Sequence, residues 1–185
     1  MVKHRDPVNL LVLSASMCLL WTLAAATQAN DEAALDAIKV AAVHGGPGGY
    51  GDVLASWNGS AGGGGGYCSW EGVRCRGSGR RRRVVALLLP SRGLTGVLSP
   101  AVGNLSSLRL LNLSSNALSG AIPASLGRLR HLRALDLSYN AFSGKLSAAN
   151  LSSCTGLVDL RLQSNHLRGG LPSELGNKLA RLEEL

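Results

Sequence analysis

Aromatic residues are scarce in this chain of 185 residues, which contains one phenylalanine, three tyrosines and three tryptophans. Acidic residues are also few, because 11 aspartates and glutamates face 19 lysines and arginines and leave a formal net charge of +8. A basic chain suggests a nucleic-acid partner, but single-strand binders combine positive charge with aromatic side chains that stack on bases. The sequence lacks that combination, so we expect no nucleic-acid partner.

Catalytic motifs are absent as well. The sequence contains no HExxH, no GxSxG, no kinase motif and no P-loop Gly-Lys-Ser/Thr. Residues 46–51 match GxGxxG, but they follow a helical pattern, whereas a dinucleotide site requires a preceding strand. This stretch and the glycines at 62–66 therefore predict loops. We expect no catalytic residue, no cofactor and a function other than catalysis.

Long apolar runs are confined to the beginning of the chain. Residues 1–29 start with Lys3 and Arg5, continue with an apolar run from Val8 to Ala26 and end in small residues. This order is typical of a secretory signal peptide, with cleavage after Ala26 or Ala29. An uncleaved membrane anchor is the alternative, because a spanning helix needs about 20 apolar residues. Either way, the remaining chain is expected to be secreted or to lie on the extracellular face of the plasma membrane.

Leucine, in contrast, is abundant and periodic. The first apolar position of each repeat recurs after 24, 24, 25 and 25 residues, at Val84, Leu108, Leu132, Leu157 and Leu182. Each repeat then has two leucines that alternate with outward residues, which predicts one short strand per repeat. A repeat this small cannot bury its own apolar side, so neighbouring repeats must stack as a solenoid.

An asparagine follows each predicted strand at the point where the chain turns. Asn116, Asn140 and Asn165 share this position. A carboxamide both donates and accepts hydrogen bonds, so stacked asparagines can satisfy the backbone of adjacent turns as a structural ladder. The first repeat has Arg92 there, and we expect its guanidinium to point outward because it has no acceptor.

The repeats continue as Gly120-Ala-Ile-Pro123 and Gly169-Gly-Leu-Pro172. With the leucines and asparagines, they resemble the plant extracellular leucine-rich repeat, LxxLxLxxNxLxGxIPxxLGxLxxL. Upstream, residues 31–40 read as a short helix capped by Asn30 or Asp31. This helix, Leu54-Ala-Ser-Trp57 and the stretch Cys68-Ser-Trp-Glu-Gly-Val-Arg-Cys75 resemble the N-terminal cap of plant receptor-like kinases and receptor-like proteins, in particular the immune-receptor subfamily.

The resemblance implies an α/β solenoid: a curved plant-type leucine-rich-repeat array with one short parallel strand per 24–25 residues, preceded by a helical, disulfide-bonded cap. The corresponding domains are a signal peptide at 1–29, a cap at 30–83 and repeats at 84–185. The last domain comprises four repeats and the start of a fifth, and we interpret the chain as a truncated fragment of a longer receptor.

The cysteines divide by position. Cys18 belongs to the leader, and Cys68 with Cys75 forms a close pair in a secreted cap, which favours a disulfide. This pair lacks nearby histidines, so we expect no metal site. Cys154 occupies the place that leucine has in other repeats, which predicts a buried thiol.

Two further surface features are predicted. The run Arg80–Arg83 is interpreted as a solvated turn between the cap and the first strand, with a processing-protease site as the alternative. Four N-x-[ST] tripeptides are candidate N-glycosylation sites in a secreted protein. Their asparagines are Asn58, Asn104, Asn112 and Asn150.

Function is expected on the strand face, the usual interaction surface of a solenoid. The candidate protein-binding residues are Asn112, Asp136, Tyr139, Asp159, Arg161 and Gln163. Each of them alone also fits an ordinary solvated surface. The resemblance implies an extracellular peptide or protein ligand, a co-receptor kinase as a further partner, and membrane attachment only through a missing C-terminal segment or an uncleaved signal. The alternatives are a small secreted binder, acting as an enzyme inhibitor or decoy, and a non-functional fragment.

Overall fold

The computed structural model describes residues 31–43, 54–57, 66–151 and 153–169. The predicted leader with Cys18, the GxGxxG stretch and the start of the fifth repeat lie outside these residues. The described chain begins with a helix, α1, over residues 31–42. Its strands are β1 (Val73–Arg76), β2 (Arg83–Leu88), β3 (Leu110–Asn112), β4 (Ser119–Ala121), β5 (Ala134–Asp136), β6 (Ala141–Lys145), β7 (Asp159–Arg161) and β8 (His166–Arg168). Short 3-10 helices span Gly66–Ser69, Gly79–Arg81, Pro100–Asn104, Ala124–Arg128 and Ala148–Leu151.

The repeats form a solenoid, as predicted. One sheet has the order β1-β2-β3-β5-β7, in which β1 is antiparallel to β2 and the following pairs are parallel. Its register aligns Leu87, Leu111, Leu135 and Leu160 on successive strands. Because side chains alternate along a strand, this alignment stacks the leucines inside the coil.

A second sheet was not predicted. Strands β4, β6 and β8 pair in parallel, and Val97 extends the row by a bridge to Ser119. The sequence predicts one strand per repeat, because only the leucine pair shows the alternation of a half-buried strand. The additional strands carry mostly exposed or half-buried side chains, so their pairing has no hydrophobic pattern in the sequence.

Repeated apolar positions fill the core. Phe142 is fully buried in the place of Leu94 and Leu118 in earlier repeats. Cys154 is also fully buried, and its Sγ lies 3.4 Å from the Leu126 carbonyl oxygen. Burial raises the pKa of this thiol to about 11. The prediction of a buried thiol is confirmed.

The cap packs against the first repeat through α1. Leu35, Ile38 and Ala42 are buried on one face of this helix. The last carbonyl groups of a helix lack partners within it. Here Ala41 O accepts from Val97 N at 2.8 Å, and Ala42 O accepts from two further amides of the first repeat at 3.1 Å. The backbone of the first repeat therefore satisfies the C-terminal end of α1.

The rest of the cap is held by a disulfide and by aromatic contacts. Cys68 and Cys75 are bonded, with their Cα atoms 5.6 Å apart, so the predicted disulfide is confirmed. Trp57 and Trp70 stack with ring centroids 5.3 Å apart, and Trp57 Nε1 donates to Glu71 O at 2.9 Å. Three of the few aromatic residues thus lie together, because Tyr67 meets Trp70 edge-on.

The arginine run is only partly a solvated turn. Arg81 and Arg82 are exposed, but the half-buried Arg83 donates two hydrogen bonds to the fully buried carboxylate of Asp31, at 2.8 and 2.7 Å. The same carboxylate accepts from Val84 N at 3.0 Å, and its hydrogen bond to Arg83 is the main cause of the raised pKa of that guanidinium. The prediction for Arg83 is wrong because the paired charges join the start of α1 to β2.

Candidate functional site

The predicted strand face is built from residues in register on β3, β5 and β7. One row contains Leu110, Ala134 and Asp159. The next outward row contains Asn112, Asp136 and Arg161. These rows flank the buried leucines on the same strands, so their side chains point away from the core. The register therefore brings Asp136 beside Arg161 and places Asn112 beside Asp136.

The asparagine ladder holds the turns that follow the strands of this face. Asn140 Oδ1 accepts from Leu118 N at 3.0 Å, and its Nδ2 donates to Leu113 O at 2.9 Å and to Leu137 O at 3.2 Å. Asn116 and Asn165 make the equivalent bonds one coil earlier and one coil later. Each carboxamide thus bonds its own coil and the preceding one.

Arg92 occupies the ladder position of the first repeat without copying its bonds. Its side chain is exposed, and its Nη2 lies 2.6 Å from the Glu71 carboxylate of the cap. Its backbone N donates to Asn116 Oδ1 at 2.9 Å. The guanidinium points outward, as predicted, and pairs with the cap.

A left-handed residue precedes the ladder position in every described repeat. Ser91, Ser115, Tyr139 and Ser164 have φ angles of 54, 56, 54 and 56°. Few residues other than glycine adopt positive φ, and a serine or tyrosine there gives no sequence signal. Tyr139 N donates to Gln163 O at 3.0 Å, and Tyr139 O accepts from Asn116 N at 3.1 Å. Hydrogen bonds to both neighbouring coils thus hold the Tyr139 backbone, and its side chain is 58% exposed.

The polar side chains of the face are oriented by local bonds. Asp136 Oδ1 accepts from Ser138 N at 3.0 Å and from Ser138 Oγ at 2.6 Å. Asn112 Oδ1 makes the same two bonds with Ser114, at 2.9 and 2.8 Å. A serine two residues later therefore orients the oxygen at this row position.

Charges of both signs meet at the end of the described repeats. Arg161 Nε lies 3.3 Å from Asp159 Oδ1 on the same strand, and both side chains are partly exposed. Arg161 is also in register with Asp136, while Gln163 is exposed beyond β7. Asp136, Tyr139, Asp159, Arg161 and Gln163 thus form one surface over two coils, which we call the strand-face cluster. Such a surface can accept and donate hydrogen bonds next to an aromatic anchor.

The candidate glycosylation sites differ in their surroundings. Asn58 lies outside the described residues. Asn104 is half-buried, and its Oδ1 accepts from Arg128 Nη2 at 3.3 Å. Asn112 lies on the strand face itself, where a glycan would cover part of the surface.

Asn150 is a correction to the glycosylation prediction. Its side chain is only 3% exposed, and Nδ2, the atom that would carry a glycan, donates to Ile122 O at 2.6 Å. Its Oδ1 accepts from Ser147 N and Ser147 Oγ, both at 2.7 Å. The folded repeat leaves no room for a glycan there.

The described residues include neither a metal-binding cluster nor a membrane-spanning helix. Within them, no group of three or more His, Cys, Asp or Glu side chains is placed to hold a metal ion. No helix among those residues has the length and apolar character needed to cross a membrane.

Two segments of the chain match known protein families. Residues 28–76 match the family described as leucine rich repeat N-terminal domain. Residues 82–142 and 106–167 match the leucine rich repeat family. The matched segments together span residues 28–76 and 82–167 of the chain.

Similar proteins are plant receptor kinases. The chain is 57% identical over 63 residues to the LRR receptor-like serine/threonine-protein kinase EFR of Arabidopsis thaliana, an alignment that covers 34% of this chain and 5% of that protein. The chain therefore spans a small fraction of this relative.

Solved ectodomains have the same fold. The ectodomain of the receptor kinase SOBIR1 from Arabidopsis thaliana is 34% identical, with a TM-score of 0.65 over 84% of this chain and 77% of that one. The ectodomain of the membrane receptor kinase GASSHO1/SCHENGEN3 from the same plant, in complex with CASPARIAN STRIP INTEGRITY FACTOR 2, is 34% identical. Its TM-score is 0.73 over 84% of this chain and 17% of that one.

Proposed function

Because the chain belongs to the leucine-rich-repeat ectodomains of plant receptor kinases, we propose that it is an extracellular recognition segment that binds a peptide or protein with its strand face. The proposal includes secretion directed by residues 1–29, glycosylation at the accessible asparagines and a role in signalling or defence. A co-receptor kinase is a further proposed partner. Any kinase activity would belong to another domain, because the matched families are non-catalytic repeats.

The strand-face cluster is the observation that carries this proposal. Exposed Tyr139 follows Asp136 on one coil, and Asp136 is in register with Arg161 on the next, hydrogen-bonded coil. Rigid presentation matters, since ordering mobile side chains costs about 0.5–1.5 kcal/mol each on binding. Aromatic and arginine side chains also account for a large share of measured binding hot spots. A related ectodomain has been seen in complex with a named factor, which supports a ligand-binding role for this fold.

Ligand capture by matched variants tests the strand face. The full chain, secreted from plant cells, would be photo-crosslinked in plant extracellular fluid and its peptides identified by mass spectrometry. The face variant Tyr139→Ala/Arg161→Ala would be compared with Lys145→Ala/Arg168→Ala, which alters exposed residues of the second sheet. We expect peptides that the wild type and the second variant retain and the face variant loses. Equal recovery by all three proteins would contradict binding at this face.

Long-read sequencing of transcripts separates a receptor from a small secreted binder. The receptor hypothesis predicts in-frame transcripts that encode further repeats, a membrane helix and a kinase or short cytoplasmic tail. Transcripts that all terminate after Leu185 would favour the alternative of an enzyme inhibitor or decoy.

A further inference from the structure

Exposed arginines line the edge at which the strands of the first sheet begin. Arg82 directly precedes β2, Arg109 precedes β3, and Arg130 and Arg133 precede β5. All four side chains are exposed. We call them the arginine edge. It lies at the opposite end of the strands from Tyr139, and it meets the strand-face cluster at Asp159, which begins β7.

Backbone register aligns these arginines across three coils. Arg109 and Arg133 occupy the same repeat position, and Arg133 N donates to Arg109 O at 2.8 Å. Arg82 and Arg130 share another position two coils apart, counted from Val84 and Leu132. Neighbouring strands lie about 4.8 Å apart. Exposed positive charge therefore recurs at this edge on three successive coils.

Within the described ranges 31–43, 54–57, 66–151 and 153–169, three carboxylates pair with arginines other than these four. Asp31 contacts Arg83, Glu71 contacts Arg92 and Asp159 contacts Arg161. Asp159 N donates to Arg133 O at 3.2 Å, but its carboxylate contacts Arg161. Aligned, uncompensated positive charge calls for an anionic partner.

The shape of the edge favours a linear partner over a folded protein. Protein interfaces normally contain a buried apolar or aromatic centre. The large apolar side chains exposed on the described residues are Val40, Val97, Leu110 and Tyr139, none of which belongs to the edge. A chain with regularly repeated carboxylates needs no such centre, because each guanidinium can bind a carboxylate in a bidentate manner. A stiff chain also loses less conformational entropy on binding than a flexible acidic peptide.

We propose that the arginine edge binds a linear polyuronate, an acidic polysaccharide whose sugar carboxylates lie along Arg82, Arg109, Arg130 and Arg133. Binding would be electrostatic, and Tyr139 and Gln163, which follow the other ends of the strands, would remain open to a separate ligand.

Calorimetric titration of the full chain with short polygalacturonate oligomers tests this proposal. The methyl ester of the same oligomer keeps the sugar backbone and removes its charge. Polyglutamate of matched charge represents an acidic peptide. Arg109→Gln/Arg130→Gln/Arg133→Gln would be compared with Arg74→Gln/Lys145→Gln/Arg168→Gln, which removes the same charge from exposed positions elsewhere. Thermal melting of both variants would verify folding, since exposed substitutions typically change stability by about 0.5 kcal/mol or less.

We expect the edge variant to bind the oligomer about tenfold more weakly, because three exposed ion pairs are lost. The control variant should lose much less, the methyl ester should not bind, and 1 M salt should abolish binding because the Debye length falls to about 3 Å. Equal losses in the two variants would overturn the proposal in favour of a net-charge effect. Polyglutamate binding as tight as the uronate would overturn it in favour of an acidic peptide. Neither outcome would affect peptide binding at the strand face.

Discussion

The cap and the repeats are stabilised in opposite ways. The cap depends on contacts that occur once: the Cys68–Cys75 disulfide, the Trp57–Trp70 stack and the Asp31–Arg83 pair. The repeats use the same leucine and asparagine contacts on every coil. Each coil contacts only its neighbours, so a solenoid spreads its stability along its length. The antiparallel β1 also covers the free edge of β2, which would otherwise be open to pairing with other chains.

The largest expected effect comes from removing Trp57. This side chain is 2% exposed, stacks on Trp70 and donates to Glu71 O. Trp57→Ala should lower the free energy of unfolding by about 3–5 kcal/mol, from the cavity and the lost bond. Chemical denaturation followed by circular dichroism would measure it.

Matched substitutions sharpen this result. Trp57→Phe keeps an aromatic ring and should cost less than the alanine. Leu135→Ala, at a fully repeated position, should cost about 2–5 kcal/mol. A loss below about 1 kcal/mol for Trp57→Ala, well under the range for a buried tryptophan, would mean that the cap unfolds separately from the repeats.

Removing the disulfide tests the second contact that is unique to the cap. Cys68→Ser/Cys75→Ser should cost about 2–4 kcal/mol, because the closed loop restricts the unfolded chain. The midpoint of thermal unfolding with and without reductant would measure the effect. Reductant should lower the midpoint of the wild type and leave that of the variant unchanged. Free thiols at Cys68 and Cys75 in non-reducing mass mapping would contradict the disulfide.

Removing one asparagine of the ladder should lower the free energy of unfolding less than removing a contact of the cap. Asn140→Ala removes the partner of Leu118 N, Leu113 O and Leu137 O, which should cost about 1–3 kcal/mol as measured by denaturant unfolding. Asn140→Asp retains an acceptor but loses the donors. The carboxylate would face three carbonyl oxygens, so the stability of this variant should fall as the pH rises above about 4. If Asn140→Ala lowered the free energy of unfolding as much as loss of the disulfide does, the other ladder asparagines would not compensate for its removal.

Prediction from sequence worked where the signal was local or periodic. The leucine spacing predicts the coils, and the isolated Cys68 and Cys75 predict their bond. The second sheet, the positive φ of Tyr139 and the burial of Asn150 leave no such pattern. Arg83 is the clearest failure: its partner Asp31 lies 52 residues away, and a run of arginines gives no indication of which member is buried. Of the candidate site, register could predict the two outward rows but not the serine bonds that orient them.

The smallest expected effect is a pH dependence of the free energy of unfolding, at the one repeat position where Cys154 replaces leucine. Cys154 stands where Leu105 and Leu129 stand, and burial raises the pKa of its thiol from an ordinary value near 9.0 to about 11. The unfolded chain releases this proton at lower pH than the folded chain. The contribution of the buried thiol to the free energy of unfolding is therefore fully present below about pH 9 and is lost as the pH rises toward 11.

Cys154→Leu restores the residue of the other repeats and removes the titrating group. Denaturant unfolding at several pH values between about 8 and 11 should show that the free energy of unfolding falls more steeply with pH for the wild type than for this variant. Parallel curves would indicate that the thiolate is accommodated in the fold, and that this coil differs from its neighbours in packing alone.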